Sequence, residues 1–347
     1  MRIHILCNDG SPLKKVWSDI YGDGVGGAEL AMLSLAEQFV KDSHETRVYN
    51  QLGPRREEVG IIFEPLNSFD PRDDGRYLIV FRSPNPRIPA KSKGTFWWST
   101  DQYTVGRFAR FWPKVDHVIT ISQFHRSYHI RTYGMPPEHV SAIDLGVRDD
   151  YPTLRDMEKK TGMCIFCSIP DRGLHMLHAA WPLIKREVPE ASLAITSDYR
   201  LWGLGSPRNH RHRLMWTDME DISFLGKVSR HKLVALQCAA EIMAYPCIYD
   251  ELFCVSVAEC TVAGAYPVTS SFGALPETNF WGTVLGGDPT SPSFVHDFSS
   301  RIISLLTSDR PFLEKQRAVM VKEARKRFSW KRIAERWYEL FENGRLG

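Results

Sequence analysis

The sequence predicts an α/β protein built as two consecutive doubly wound lobes. Three observations carry this. At 347 residues the chain is too long for one ordinary α/β core and suits two. Short apolar runs alternate with amphipathic stretches of helical period, the pattern of βαβ units on a parallel sheet. That pattern pauses at the polar stretch Arg148-Asp-Asp-Tyr-Pro-Thr-Leu-Arg-Asp156 and then restarts. The expected lobes are residues 1–148 and 149–328, with a final helical segment, 329–347, packing back toward the first lobe.

In the first lobe a strand is expected over Ile3–Cys7, followed by a polar, glycine-rich loop. A helix follows over Ala28–Lys41, with Leu30, Leu33, Leu35, Ala36 and Val40 on or near one face. Further strands are expected at Arg47–Leu52, Tyr77–Phe81, Thr95–Trp98 and His117–Ile121, and Val140–Gly146 closes the lobe. In the second lobe the apolar runs are Met163–Ser168, Ser192–Ser197, Ile222–Leu225, Glu241–Tyr245 and Tyr266–Thr269. The last helix, Ser329–Asn343, carries Trp330, Ile333, Ala334, Trp337 and Leu340 at helical spacing.

Composition excludes several classes. Hydrophobic residues make up 43% and charged residues 24%, the balance of a soluble globular protein. The net charge of +3, from 44 basic and 41 acidic side chains, gives no bulk drive toward nucleic acid or anionic membrane. The seven cysteines sit mostly in apolar runs, and an odd number there reads as buried thiols in a reducing compartment. Cys164 and Cys167 form a C-x-x-C without a second pair at zinc spacing, and read as thiols of a buried strand. The opening MRIHILCNDG turns polar too early for a signal peptide, and no stretch approaches the ~20 apolar residues that cross a bilayer. A cytoplasmic protein is expected.

Gly22-Asp-Gly-Val-Gly-Gly27 matches G-x-G-x-x-G between a strand and a helix, where backbone amides and the helix dipole favour phosphate. The dinucleotide fingerprint, however, wants a short turn and an acidic residue ending the next strand. This loop starts well past its strand, and the next strand ends in Asn50-Gln51. Two readings remain: glycines serving a turn and helix start, or a phosphate-approaching loop of another fold.

The densest signal is Tyr249-Asp-Glu251-Leu-Phe-Cys-Val-Ser-Val-Ala-Glu259-Cys-Thr-Val-Ala-Gly264. A strand ends in Pro246, and a helix is expected from Leu252 or Phe253 to about Gly264. Glu251 then stands at a helix N-terminus on the C-terminal edge of a parallel sheet, where open α/β folds hold ligands. Glu259 lies two turns on, roughly 12 Å along the axis. Carboxylates so spaced suit hydroxyls at two ends of an extended ligand; alternatively, Glu251 is an N-terminal acid that favours the dipole. The apolar neighbours of Glu259 imply burial, so its carboxylate requires a partner.

At this point the chain resembles the family 4 glycosyltransferases of the GT-B fold, in which two Rossmann-like domains face each other across a cleft. The resemblance rests on the Glu-x7-Glu run, Pro246 before it and AGAYPVTSSFGALPETN after it, with Gly26-Gly27-Ala-Glu29, Phe224-Leu-Gly-Lys-Val228 and Phe328-Ser-Trp330 in order along the chain. It implies transfer of a sugar from a nucleotide-diphosphate sugar, bound in the cleft mainly by the second lobe, to a hydroxyl acceptor. It further implies retention of anomeric configuration, no metal, and no cofactor beyond the nucleotide-sugar co-substrate. Glu251, with the amides of Leu252 and Phe253, would hold the donor sugar; Glu259 would hold the ribose, and Gly26 and Gly27 would approach the diphosphate. Arg172, in Ser168-Ile-Pro-Asp-Arg-Gly173, stands where the family usually has a phosphate-binding lysine, a divergent Asp-Arg-Gly in place of Glu-Lys-Gly. Arginine keeps the charge and adds a fork for two oxygens.

One departure is Cys167, at a position where the family commonly has a second basic residue. Arg200 or Arg208 are candidates to compensate. In the first lobe Asp101, after the strand FWWST, is the candidate contact to the acceptor hydroxyl, or else a helix cap. The acceptor itself, a glycan, a lipid-linked compound or another hydroxyl compound, is not encoded in a readable motif. Gly106–Lys114 mixes basic and aromatic residues and reads either as a peripheral membrane or lipid contact or as a helix with buried aromatics. The basic run Arg208–Arg213 lacks interleaved aromatics, so a nucleic-acid acceptor is disfavoured. His117, His125 and His129 read as scattered polar positions without metal spacing. The alternatives to a transferase are a sugar-nucleotide epimerase or hydrolase of similar fold, and an inactive nucleotide-sugar-binding protein.

Overall fold

The computed structural model describes residues 1–8, 13–22, 24–82, 91–100, 108–202 and 211–344. It divides into two compact units. The first comprises Met1–Ile20, Gly27–Gly146 and Phe328–Gly347, and the second Tyr21–Gly26 and Val147–Arg327.

The first unit is built on a sheet of β1 (Arg2–Leu6), β2 (Glu45–Asn50), β3 (Arg56–Glu58), β4 (Ile61–Pro65), β5 (Tyr77–Phe81), β6 (Gly94–Trp98), β7 (His117–Thr120) and β8 (Val140–Ala142), in the order β3-β4-β2-β1-β5-β6-β7-β8. Every pairing is parallel except that of β3 with β4. Central strands such as Tyr-Leu-Ile-Val-Phe are near-continuous apolar runs because both faces of the sheet are covered. The helix Gly27–Lys41 buries Ala31, Met32, Leu33, Leu35, Ala36 and Phe39. The C-terminal helix Trp330–Asn343 packs beside it and buries Trp330, Ile333, Ala334, Trp337, Leu340 and Phe341. Phe341 stacks on Tyr77 with ring centres 4.8 Å apart, and Tyr338 Oη donates to Asp42 Oδ2 at 2.7 Å.

The second unit has an all-parallel sheet of β9 (Met163–Phe166), β10 (Ser192–Ile195), β11 (Ile222–Phe224), β12 (Ile242–Tyr245), β13 (Tyr266–Ser270) and β14 (Thr283–Leu285), ordered β11-β10-β9-β12-β13-β14. The strand order reverses between β9 and β12, so the topological switch point of this sheet lies at their C-terminal ends. All seven cysteines are buried, and none is joined in a disulfide. Among the described residues no helix is long and apolar enough to cross a membrane.

Three strands depart from the expected set. β3 reads Arg-Glu-Glu and is mostly exposed, β4 is a short run between Gly60 and a closing Pro65, and β14 is only partly buried at its sheet's edge. The edge strands β3 and β14 lack the buried apolar run or alternation that marks a strand in sequence, whereas β4, paired on both sides, is short and closes in a proline.

Candidate functional site

The site forms at the β9–β12 switch point. Past β9, Pro170–Arg172 makes a single 3-10 turn. Gly173 follows at φ 108°, and a Cβ there would stand 2.1 Å from the Pro246 carbonyl oxygen. The turn can therefore press on the end of β12 only because residue 173 has no side chain. This carries Arg172 onto Glu251, with Nη1 donating to Oε1 at 2.6 Å. The same oxygen accepts from Tyr245 Oη at 2.5 Å, and that hydroxyl lies 3.1 Å from Ser168 Oγ. The Arg172 guanidinium also lies over the Tyr249 ring, 4.4 Å from its centre. Ala274 N donates to the Glu251 carbonyl at 2.6 Å, which fixes the backbone. Both side-chain bonds fall on Oε1; among the described residues Oε2 of Glu251 takes none.

Burial opposes the charge on Arg172, and the adjacent Glu251 carboxylate more than offsets this, so the guanidinium is held above its usual range. Burial likewise pushes the Tyr245 phenol well up, which keeps it a neutral donor to Glu251.

Glu259 occupies a second, separate network. It is 3% exposed and ion-paired with Arg230 Nη1, while Gln237 Nε2 donates to its other oxygen at 3.3 Å. Tyr151 Oη donates to Gln237 Oε1 at 2.6 Å, and Arg230 Nε donates to Asp150 Oδ2 at 2.9 Å. The partner that a buried carboxylate requires is thus Arg230, the first residue of the helix Arg230–Ala239. Removing one member of such a pair strands a buried charge. We therefore expect Arg230→Met to destabilise by about 3–5 kcal/mol, and Arg230→Met with Glu259→Leu to recover much of the loss. Urea unfolding of both variants checks this; equal stability of Arg230→Met and wild type would refute it.

Glu251 does not lie on the helix of Glu259. The helix runs Val255–Val262, because Cys254 ahead of it adopts the left-handed conformation at φ 66°. Glu251, Leu252 and Phe253 form the loop before it, so the expected spacing along one helix axis does not hold. Leu252 and Phe253 are buried, and the Thr278 hydroxyl donates to the Phe253 carbonyl. Gly26 ends the short segment of the second unit, and Gly27 opens the first helix of the first unit. Asp101 and Arg208 lie outside the described residues. Arg200 is turned onto Asp198, its Nε donating to Oδ2 at 2.8 Å, and Cys167 is a buried thiol at the end of β9. Asp171 accepts from Tyr199 Oη, which lies 3.0 Å from His212 Nε2. Arg230 and Gln237 carry no signal in sequence, since their role arises from Glu259, 29 and 22 residues away, and Tyr245 reads in sequence only as the end of a strand.

The histidines are not scattered polar positions. His125 and His129 lie one turn apart on the helix Gln123–Tyr133 and are fully buried. Ser99 Oγ stands 2.9 Å from His129 Nε2, which stands 3.0 Å from His125 Nε2. His117 is buried on β7 with Nε2 2.9 Å from Ser141 Oγ. Among the described residues no group of three or more His, Cys, Asp or Glu could hold a metal ion. The described part of the basic-aromatic stretch buries Phe108 and Phe111 and exposes Arg110 and Lys114, the packing of an ordinary surface helix.

No family model matches the chain. Over 212 residues it is 26% identical to the O-antigen chain mannosyltransferase B of Escherichia coli, covering 55% of this chain and 52% of that protein. The chain thus spans about half the length of this curated relative. Among solved structures, a glycosyltransferase from Rickettsia africae superposes with a TM-score of 0.73 at 14% identity, covering 99% of this chain and 98% of that one. A sucrose-phosphate synthase from Thermosynechococcus elongatus gives 0.70 at 15% identity, covering 99% of each. HepE from Anabaena, solved with UDP and glucose, gives 0.67 at 14% identity, covering 99% of this chain and all of that one. These likenesses establish the fold: two Rossmann-like domains of the GT-B type, as in solved glycosyltransferases.

Proposed function

We propose that this chain is a glycosyltransferase that takes a sugar from a nucleoside-diphosphate sugar, held by the second unit, and passes it to a hydroxyl acceptor with retention of configuration. One observation carries the reading. Glu251 stands at the sheet's switch point with one carboxylate oxygen engaged by Arg172 and Tyr245 and the other taking no bond among the described residues. A carboxylate oriented in this way accepts a hydrogen bond from a sugar hydroxyl, while the neighbouring guanidinium faces the diphosphate. The anomeric C–O bond to the diphosphate breaks with its electron pair on the phosphate, and a new C–O bond forms to the acceptor oxygen, whose proton passes to the departing diphosphate. Arg172 and the backbone amides of Gly26, Gly27, Leu252 and Phe253 stabilise the charge on the leaving group. Glu259 holds the ribose, and Asp101 contacts the acceptor. The UDP and glucose of HepE, and the mannosyl transfer named for the Escherichia coli relative, support a nucleotide hexose as donor.

A screen of nucleoside-diphosphate hexoses of the gluco and manno series, read as thermal shift, tests the donor. Saturation at about a thousandfold over Kd stabilises by ~4 kcal/mol. Incubation with the bound donor should then release nucleoside diphosphate slowly with water and faster with an acceptor extract. Cys167, an uncharged thiol where a second cation is expected, favours the rival reading of a binding protein without turnover. Tight donor binding with no release under any acceptor extract would establish that rival.

A further inference from the structure

Four buried or half-buried charges in the second unit form a cluster around the Arg230–Glu259 pair. Arg148, Asp150, Arg230 and Glu259 form a chain with two charges of each sign. Arg230 is ion-paired with Glu259 and donates to Asp150 at 2.9 Å, and Arg148 Nε lies 3.3 Å from the same Asp150 oxygen. A neutral side chain, Tyr21, joins them. Tyr21 Oη donates to Asp150 Oδ1 at 3.1 Å and accepts from Arg148 Nη2 at 2.9 Å, while its ring lies 5.2 Å from that of His231.

Tyr21 is the residue immediately before the glycine run Gly22–Gly27. That run has its own close approach: Gly24 adopts φ 88°, and a Cβ there would stand 3.3 Å from the Val228 carbonyl oxygen. Val228, Arg230 and His231 are near neighbours in sequence at the start of the helix Arg230–Ala239. One short segment therefore touches the glycine loop at Gly24 and Tyr21 and also reaches Glu259. Burying charges in this way costs desolvation, which only good geometry offsets, and here part of that geometry is supplied by a tyrosine that ends the 3-10 turn Trp17–Tyr21.

We propose that Tyr21 is a positioning residue for the donor: through Asp150, Arg148 and Arg230 it holds the glycine loop in fixed register with Glu259, so that ribose and diphosphate are bound as one unit. The inference rests on the donor reading above, in which Glu259 holds the ribose and the loop approaches the diphosphate. Tyr21→Phe keeps the ring and deletes only the hydroxyl. Gly24→Ala acts on the loop's other contact, through the positive φ and the Val228 carbonyl.

The test is titration of wild type and both variants with the diphosphates of uridine, guanosine, adenosine, cytidine and thymidine, and with the matching nucleosides. Wild type should prefer one diphosphate over its nucleoside. Each variant should lose about tenfold or more in affinity for that diphosphate, the effect of one hydrogen bond to a charged group, with nucleoside affinity unchanged. Equal losses for nucleoside and diphosphate would make the network a fold support and overturn the positioning role, as would an unchanged preference in both variants. If wild type bound no diphosphate better than its nucleoside, the donor reading itself would fall, and the inference with it.

Discussion

Glu251→Gln is expected to slow turnover about a hundredfold or more while leaving the affinity for free nucleoside diphosphate unchanged or slightly tightened. In the proposed donor site the Glu251 carboxylate contacts the sugar and not the nucleotide, so its loss does not weaken the nucleotide complex. Neutralising it also removes the anion that compensates Arg172, whose charge then acts more fully on the phosphates. The intact donor should bind more weakly, and the rate should suffer most, because the sugar gains positive charge in the transition state. Glu259→Gln is the contrasting case. It should weaken nucleoside diphosphate and intact donor alike, by roughly ten- to a hundredfold for a charge-assisted bond. Calorimetric titration of each variant with both ligands, beside kcat and KM, separates the two carboxylates. Equal losses for both ligands at Glu251 would remove it from the sugar site.

Acid should destabilise the first unit strongly. Burial, with Arg76 adding to it, lowers His4 to about 4; burial and His139 lower His117 to about 4; burial lowers His129 to about 3; and burial and His129 hold His125 well below 6.5. All four lie in the first unit. In the unfolded chain each titrates near 6.5. Above that value both states are neutral and these groups give no pH dependence. Below it the unfolded chain binds protons that the folded unit refuses, so stability falls as pH drops from 6.5 toward 4. At pH 5 the linkage amounts to as much as about 2 kcal/mol per histidine. The sum over His4, His117 and His129 is comparable to the ~5–15 kcal/mol stability of a domain, and His125 acts in the same direction. Urea unfolding at pH 7.5, 6.5 and 5.5 should show a loss confined to the acid side. His129→Gln, which retains a polar partner for Ser99, should flatten the slope by about one proton. Equal stability at pH 5.5 and 7.5 would refute the account.

The same histidines show where sequence reading fails. On a helix of low hydrophobicity, His125 and His129 look like surface residues. Trp97, Phe108 and Ser99 meet His129 from other elements, His125 packs against His129, and a helix does not announce its neighbours. Glu259 is the opposite case. Its apolar flanks announced burial and hence a partner, but nothing in the sequence pointed to Arg230, 29 residues away.

The sequence by itself determined the two α/β lobes, the positions of the buried strands along the chain and the candidacy of Arg172, Glu251 and Glu259. Parallel strands covered on both faces must be apolar throughout, and polar residues just past them fall on one sheet edge. Edge strands β3 and β14 escaped, because half-exposed strands carry no such requirement. Only the tertiary structure decided that Arg172 and Glu251, 79 residues apart, form one pair while Glu259 belongs to another. It also decided that Glu251 stands in a loop, since the left-handed Cys254 ends the helix short of it. Backbone conformation at one residue and pairing across a sheet both depend on what surrounds a residue in space, and local pattern encodes burial but not the identity of the neighbour.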